Sequence, residues 1–506
     1  MLNGNDMPST EGETVDFLRS IRPHALAGRT AFIVPAPRPE EAQHVSYDDF
    51  YQRVSAYAAG ADRLLRPGFA PGEARFVGIR LPRSVDGVAL FLGLMEAGFC
   101  PSFMEPRVSW PVIAERMAAV AMKVLVTDEE DVGVPEGVRV YRSSALLSRE
   151  RRQEQDVSAG SGDEPAMLLF TSGSTGKPKG IVLSHRNLRN NARGVIAVTR
   201  ITPADRLLHL MPLHHTNGVN NQIIAPLLQG ATVILADRFR AERVPSWLSD
   251  YAVTYMTGVP TIYSRVLEVV KALPHPLDVK SLRFLRCGSA LLAESLHRDI
   301  EAAFGVELLV SYGLSEATCT STMNPPGGRK IGTVGQTLPG QQVALFSPGG
   351  WNAAAEGEIC IRGDSLMRGY VGSDGAPSPI ERGWLRTGDI GRFDGEGFLT
   401  ITGRLKNLIV RGGENISPEL IENILLKHPA VRSCCVVGRH CADLGEVPVA
   451  FIEPVPGGAP DERELDNHIK AFLPASHAPA GYYWLEKLPE NAVGKIDRKQ
   501  LRSRLG

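Results

Sequence analysis

Two hydrophobic rhythms alternate through the first 160 residues. Phe50, Val54, Tyr57, Ala58, Ala61 and Leu65 recur at helical spacing behind Ser46-Tyr-Asp-Asp49, which predicts a helix with Ser46 as N-cap. Gly78-Ile-Arg-Leu81 and Val124-Leu-Val126 are short apolar runs of strand character. Val88-Ala-Leu-Phe-Leu-Gly-Leu-Met95 reads as a buried helix. Strand and helix in alternation predict a layered α/β domain. A polar connector is predicted over 149–164. The buried strand Ala166-Met-Leu-Leu-Phe170 follows, and Gly180-Ile-Val-Leu183 forms a second strand.

The pattern changes near residue 404. Upstream, residues 390–402 predict a hairpin with turn chemistry at Asp394-Gly395. Downstream, Ser417-Pro418 predicts an N-cap followed by proline at the first helical position, and Leu420, Ile421, Ile424 and Leu425 give that helix one apolar face. Strands at 434–437 and 447–452 and a helix near 462–472 complete an α+β unit. The fold class expected is a large layered α/β N-terminal domain with subdomains, residues 1–403, and a small α+β C-terminal domain, residues 404–506. A chain of 506 residues is too long for one core, so more than one unit is required.

Composition narrows the function classes. The chain is 43% hydrophobic and 22% charged, with a net charge of −1. That balance suits a globular protein and lacks the basic excess a general nucleic-acid binder needs. Seven cysteines fit no zinc spacing and no Cys-x-x-Cys motif, as expected of thiols in a reducing compartment. The polar, acidic start does not resemble a signal peptide, and no apolar run reaches membrane-spanning length. A cytoplasmic enzyme, with neither nucleic acid nor membrane insertion, is the expectation.

The loop between the two strands, Thr171-Ser-Gly-Ser-Thr-Gly-Lys-Pro-Lys-Gly180, carries the first chemical signal. Glycines let backbone N–H groups turn toward an anion, hydroxyls donate further, and two lysines add charge. It is not a Walker loop, because Thr171 and Pro178 stand where that motif needs Gly and Ser/Thr, and a strand rather than a helix follows.

This loop resembles that of the adenylate-forming superfamily: acyl- and aryl-CoA synthetases, peptide-synthetase adenylation domains and beetle luciferases. Further motifs resemble the family's in order. They are Met211-Pro-Leu-His-His-Thr-Asn-Gly218, Tyr312-Gly-Leu-Ser-Glu316, Arg386-Thr-Gly-Asp389, Gly403-Arg404, Arg411-Gly-Gly-Glu-Asn-Ile-Ser-Pro418 and Gly494-Lys495-Ile496 with Arg498.

The resemblance implies a division of labour. Thr171, Ser172, Gly173, Ser174, Thr175, Gly176 and Lys177 hold the ATP phosphates. Thr171 and Glu316 hold Mg²⁺ through hard oxygen ligands. Tyr312 stacks on adenine, opposite Gly288, Ser289 and Ala290. Asp389 accepts from the ribose hydroxyls and Arg404 reaches ribose or phosphate. Lys495, Glu316 and His215 form the catalytic set, with Lys495 as the cation placed between carboxylate and α-phosphate. His215, Asn217, Arg286, Gly313 and Leu314 line the acyl pocket. Gly412 and Gly413 face CoA, and Lys406 is the hinge about which a mobile C-terminal domain turns.

The reaction implied is carboxylic acid plus MgATP to acyl-AMP and pyrophosphate, then transfer to CoA. Leu282-Arg-Phe-Leu-Arg286-Cys-Gly-Ser-Ala290 is similar to small-acid ligases, and with Asn217, Asn220 and Asn221 suggests a short or polar acid. A contact from Arg286 to a second carboxylate stands against a structural salt bridge. Transfer to a carrier protein's phosphopantetheine, or a non-catalytic nucleotide-binding homologue, remain alternatives. In the second N-terminal motif the chain departs from the family with Gly98-Phe-Cys-Pro-Ser-Phe-Met-Glu-Pro106, where altered packing is expected.

Overall fold

The computed structural model describes residues 17–130, 133–150, 162–172, 178–290, 292–351, 354–372, 380–455, 457–458, 461–490 and 496–505. The predicted first helix runs Tyr47–Leu64, and Ser46 accepts from the Asp49 amide as its cap. The helix Val85–Glu96 is buried along nearly its whole length, as its continuous apolar run requires. Between them runs the strand Phe76–Arg80, central to a parallel sheet with Cys100–Phe103, Val124–Thr127 and Arg139–Tyr141.

A second, larger sheet forms the middle of the molecule. Its parallel core is ordered Leu308–Tyr312, Phe284–Cys287, Tyr255–Gly258, Arg206–His209, Thr232–Leu235 and Thr30–Val34, with short antiparallel strands at both edges. A third sheet, antiparallel, is built from 341–404, including the long strand Trp384–Phe393 and its partner Leu399–Arg404. The phosphate-loop strands Pro165–Ser172 and Pro178–Ser184 pair antiparallel as predicted, and Gly369–Val371 adds beside them. The polar connector predicted at 149–164 lies mostly outside the described residues.

The small domain packs its own core. Strands Val431–Cys441 and Gly445–Pro454 pair antiparallel under the helices Pro418–Leu425 and Glu462–Lys470. Arg498 is its internal staple: it donates to the Val436 carbonyl and to the buried Glu422 carboxylate at 2.7 Å. A large N-terminal domain and a small C-terminal one are therefore the architecture, as expected.

Two local readings need correction. The hairpin turn spans Asp394 to Phe398, and its left-handed residue is Gly397 rather than Gly395. Asp394 accepts from the amides of Glu396 and Phe398, which fixes the longer loop. Ser417 precedes a helix with proline in its first turn, yet its hydroxyl caps nothing. It donates instead to the Thr402 carbonyl at 2.8 Å, tying the small domain's first helix to the large domain's last strand.

No helix among the described residues is long and apolar enough to cross a membrane. All seven cysteines are free thiols.

Candidate active site

Parallel strands that end together deliver their following loops to one rim, the usual place for ligands in α/β sheets. Here His209, Gly258, Cys287 and Tyr312 are the last residues of four neighbouring strands. The segments they release, 211–218, 288–290 and 313–316, are the ones the sequence singles out.

On the nucleotide side the polar groups are bound to one another. Tyr312 is buried and donates to Asp389 Oδ2 at 2.8 Å. Burial, then the Asp389 carboxylate, raises the Tyr312 pKa well above its ordinary value. Arg404 faces Asp389 across the paired strands, donating from Nε to Oδ1 and from Nη2 to Oδ2. Burial opposes the Arg404 charge, but the Asp389 carboxylate outweighs it and holds the guanidinium pKa above its usual value. Glu358, which sequence reasoning missed, fixes the preceding turn by accepting from Arg386 at 2.6 Å and from the Gly388 amide at 3.0 Å. No motif marks it; only its place across from Ile390 in the neighbouring strand reveals it.

Gly288 packs against Ser311, and Ser289 takes a left-handed φ of 67° that non-glycine residues seldom adopt. Ser289 and Ala290 are exposed at the rim. At Gly313 a Cβ would lie 1.9 Å from the Cys319 carbonyl, so glycine is required for the chain to fold back there. Leu314 leads into the turn Ser315–Ala317, which presents Glu316. Tyr370 donates to Glu316 Oε1 at 2.9 Å, a partner the motif did not reveal.

Thr171 stands opposite Lys179 at the end of the loop's two strands. Ser172 is the last residue of its strand. Gly173, Ser174, Thr175, Gly176 and Lys177 lie outside the described residues, as do Gly494 and Lys495.

The acid side is organised differently. Asn217–Ile224 forms a π-helix, a form concentrated at functional sites. It buries Asn217, Asn220, Asn221 and Gln222. Asn221 donates to Asn217 Oδ1, Cys319 Sγ and Thr320 Oγ1, and Asn220 to Asn191 Oδ1. Arg286 is 2% exposed and donates from Nη2 to Thr320 Oγ1 at 2.8 Å. Among the described residues its Nε has no hydrogen-bond partner, and the same holds for Thr257 Oγ1, Tyr255 OH, Asn220 Oδ1, Asn221 Oδ1 and Gln222 Nε2. Burial lowers the Arg286 pKa; the groups that oppose this are Cys319, Tyr255 and Tyr263, and no carboxylate is among them. The structural salt bridge expected for Arg286 is therefore absent among the described residues.

His215 packs its ring against His214 at 4.4 Å between centroids. Burial pushes His209 and His214 down to about 3, with His215 also acting on His214. Glu105, one of the positions at which the second N-terminal motif departs from the family's pattern, lies 3.9 Å from His214.

Lys406 lies two residues beyond Arg404 in the turn Leu405–Asn407, exposed to solvent but with protein packed along part of its side chain. Burial and Arg404 lower its pKa, while Asp389 and Glu316 act the other way. Gly412 and Gly413 sit in a hairpin turn of the small domain, where Gly412 donates to the Leu444 carbonyl. The small domain docks on helix Pro260–Lys271 through Arg265 to Glu490 at 2.9 Å and Arg432 to Glu268.

Among the described residues no cluster of three or more His, Cys, Asp or Glu is arranged to hold a metal. Mg²⁺ needs no such cluster, because it takes one or two protein oxygens and completes its shell with water and phosphate. Glu316 Oε2 takes part in no hydrogen bond or ion pair among the described residues, so it fits such a role.

Residues 22–371 match the model of the AMP-binding enzyme family, and 420–495 match its C-terminal domain. The chain is 35% identical over 345 residues to a sulfoacetate–CoA ligase of Cupriavidus necator, covering 67% of each chain. It is 32% identical to a feruloyl-CoA synthase of Amycolatopsis sp., covering 91% of this chain and 94% of that one. In structure it resembles the o-succinylbenzoate CoA synthetase of Bacillus subtilis in complex with its acyl-adenylate intermediate. The TM-score is 0.82 at 26% identity, covering 97% of this chain and 98% of the other. All three relatives form CoA esters, which favours CoA over a carrier protein and an enzyme over a non-catalytic homologue. The chain belongs to the AMP-binding, adenylate-forming enzyme family and is an AMP-forming acyl-CoA synthetase, with ATP and CoA as its substrates.

Proposed function

We propose that this synthetase activates a short acid carrying a second anionic or strongly polar group, and that Arg286 receives that group. One observation carries the reading: among the described residues, Arg286 is a buried cation with an unpartnered Nε and no carboxylate acting on it. A buried charge without a countercharge is costly, and a ligand that brings the countercharge removes the cost. The unpartnered hydroxyls and amides nearby match a polar ligand, and a wholly apolar acid would leave them unsatisfied. Sulfoacetate, the acid of one relative, has a sulfonate beside its carboxylate; the acid of the feruloyl relative is a larger aromatic one.

In this reading the carboxylate to be activated lies toward His215 and Asn217, with Gly313 and Leu314 as the wall nearest the nucleotide. Tyr312 stacks on adenine beside Gly288, Ser289 and Ala290, and Asp389 and Arg404 hold the ribose. The loop 171–177 holds the β- and γ-phosphates as leaving group. Glu316 and Thr171 would hold Mg²⁺, whose charge would offset that of the phosphates. Lys495 lies between the two anions and stabilises the charge that builds on the α-phosphate oxygens during in-line attack. The small domain, residues 404–506, then turns about Lys406 to bring Gly412 and Gly413 to the site for CoA.

Pyrophosphate release with oxalate, malonate, sulfoacetate, short fatty acids and benzoates, with and without CoA, tests the reading. Short acids with a second polar group are expected to turn over best. Turnover confined to long-chain or purely aromatic acids overturns it.

A further inference from the structure

Tyr370 has no part in the roles above, yet it touches Glu316 and Lys179, the second lysine of the phosphate-loop segment 171–180. It sits in the strand Gly369–Val371, paired with Ile181 on the second strand of the phosphate-loop hairpin. Its hydroxyl donates to Glu316 Oε1 at 2.9 Å, and its ring lies 5.4 Å from the Lys179 ammonium, within cation–π range. The backbone reinforces the link. The Met367 amide donates to the Glu316 carbonyl at 2.8 Å, and the Arg368 amide to the Val182 carbonyl at 3.0 Å. One short strand therefore joins the turn that presents Glu316 to the hairpin that carries the phosphate loop.

The turn needs such support. Thr318, two residues beyond Glu316, has a left-handed φ of 69°, and its hydroxyl is tied to the Ser365 carbonyl at 2.7 Å. The Glu316 side chain is only half-buried and has no other hydrogen-bond partner among the described residues. Without the tyrosine, its carboxylate would sample several rotamers. With Oε1 occupied by the phenol, Oε2 is left at a defined place.

We infer that Tyr370 is a positioning residue that orients Glu316 for the cation accompanying ATP and holds Lys179 in register with it. This rests on the proposed role of Glu316 as cation ligand. The phenol acts on one carboxylate oxygen and leaves the other for the cation, as supporting hydrogen bonds to metal-binding carboxylates do.

The test uses the full chain and Mn²⁺ as a paramagnetic stand-in for Mg²⁺. Mn²⁺ binding in the presence of ATP is read by electron paramagnetic resonance, beside ATP binding with the metal chelated. Tyr370→Phe keeps the ring against Lys179 and removes only the donor. It is expected to raise the Mn²⁺ dissociation constant roughly 3- to 10-fold, the size of one ordinary hydrogen bond, while metal-free ATP binding and Tm stay at wild-type values. Tyr370→Leu removes the ring as well and is expected to weaken metal-free ATP binding too. Glu316→Gln is the companion variant. If it weakens Mn²⁺ binding and Tyr370→Phe does not, the positioning role is overturned while the Glu316 reading stands. If Glu316→Gln leaves Mn²⁺ binding unchanged, the Glu316 reading fails and the role of Tyr370 fails with it.

Discussion

The two halves of the site handle polarity in opposite ways. On the nucleotide side, Tyr312, Asp389, Arg404, Arg386 and Glu358 satisfy one another through short, charge-assisted bonds. On the acid side, Arg286, Thr257, Tyr255 and the asparagines of the π-helix leave buried donors and acceptors unmatched among the described residues. A paired network holds its shape without ligand and pre-organises binding of a substrate shared by the whole family. An unpaired set is a standing cost that one particular ligand relieves, and so it carries specificity. The difference predicts that mutations on the two sides change stability with opposite signs.

The largest effect belongs to the paired side. Asp389→Ala removes the acceptor of both Tyr312 and Arg404, so Tm falls. The KM for ATP rises on the order of 100-fold with every acid, as the loss of hydrogen bonds to charge implies. A calorimetric scan and an ATP titration with two different acids check this. A loss confined to one acid would break the comparison.

Arg286→Met is the mirror image. It replaces an uncompensated buried charge by an apolar side chain of similar length, so the ligand-free protein gains at least about 2 °C in Tm. The KM for an acid with a second anionic group rises roughly 10- to 100-fold, and the KM for ATP does not move.

Acid pH acts next, and again on the acid side. In the unfolded chain His209 and His214 take protons below about pH 6.5, but in the folded chain only near pH 3. The unfolded state therefore binds more protons through that window, and stability falls as pH drops from about 6.5 toward 3. Denaturant melts at pH 7, 6 and 5 measure the slope, and His209→Asn should flatten it.

The smallest effect lies outside both halves. Arg265→Glu opposes Glu490 at the contact between domains and is expected to slow adenylation by no more than about fivefold, since exposed pairs contribute little. The slowing should fade in high salt, and adding Glu490→Arg should restore the rate.

The same contrast explains what the sequence could tell. Asp389, Arg404, Tyr312 and Glu316 stand in short contiguous motifs that can be read along the chain; in the structure Tyr312 ends a strand, Asp389 and Arg404 face each other across two strands, and Glu316 lies in the turn Ser315–Ala317. The helices and strands of both domains were legible because their apolar spacing is regular, as at Tyr47–Leu64 and Phe76–Arg80. The partners Glu358, Thr257, Tyr255 and Tyr370 were not. They meet the motif residues only through sheet register between segments far apart in the chain, and no spacing rule reaches that far. The π-helix was hidden for a related reason: Asn217–Ile224 carries no local sequence signal for its winding. Arg286 was legible as a candidate, but its lack of a carboxylate partner is a fact of three dimensions.

The most direct measurement is a pair of acid panels, wild type against Arg286→Met, followed by pyrophosphate release at fixed ATP. Wild type is expected to prefer a short acid with a second anionic group over the monoacid of the same length, and the variant to lose this preference while still releasing pyrophosphate with the monoacid. Equal preference in the two proteins would contradict this expectation.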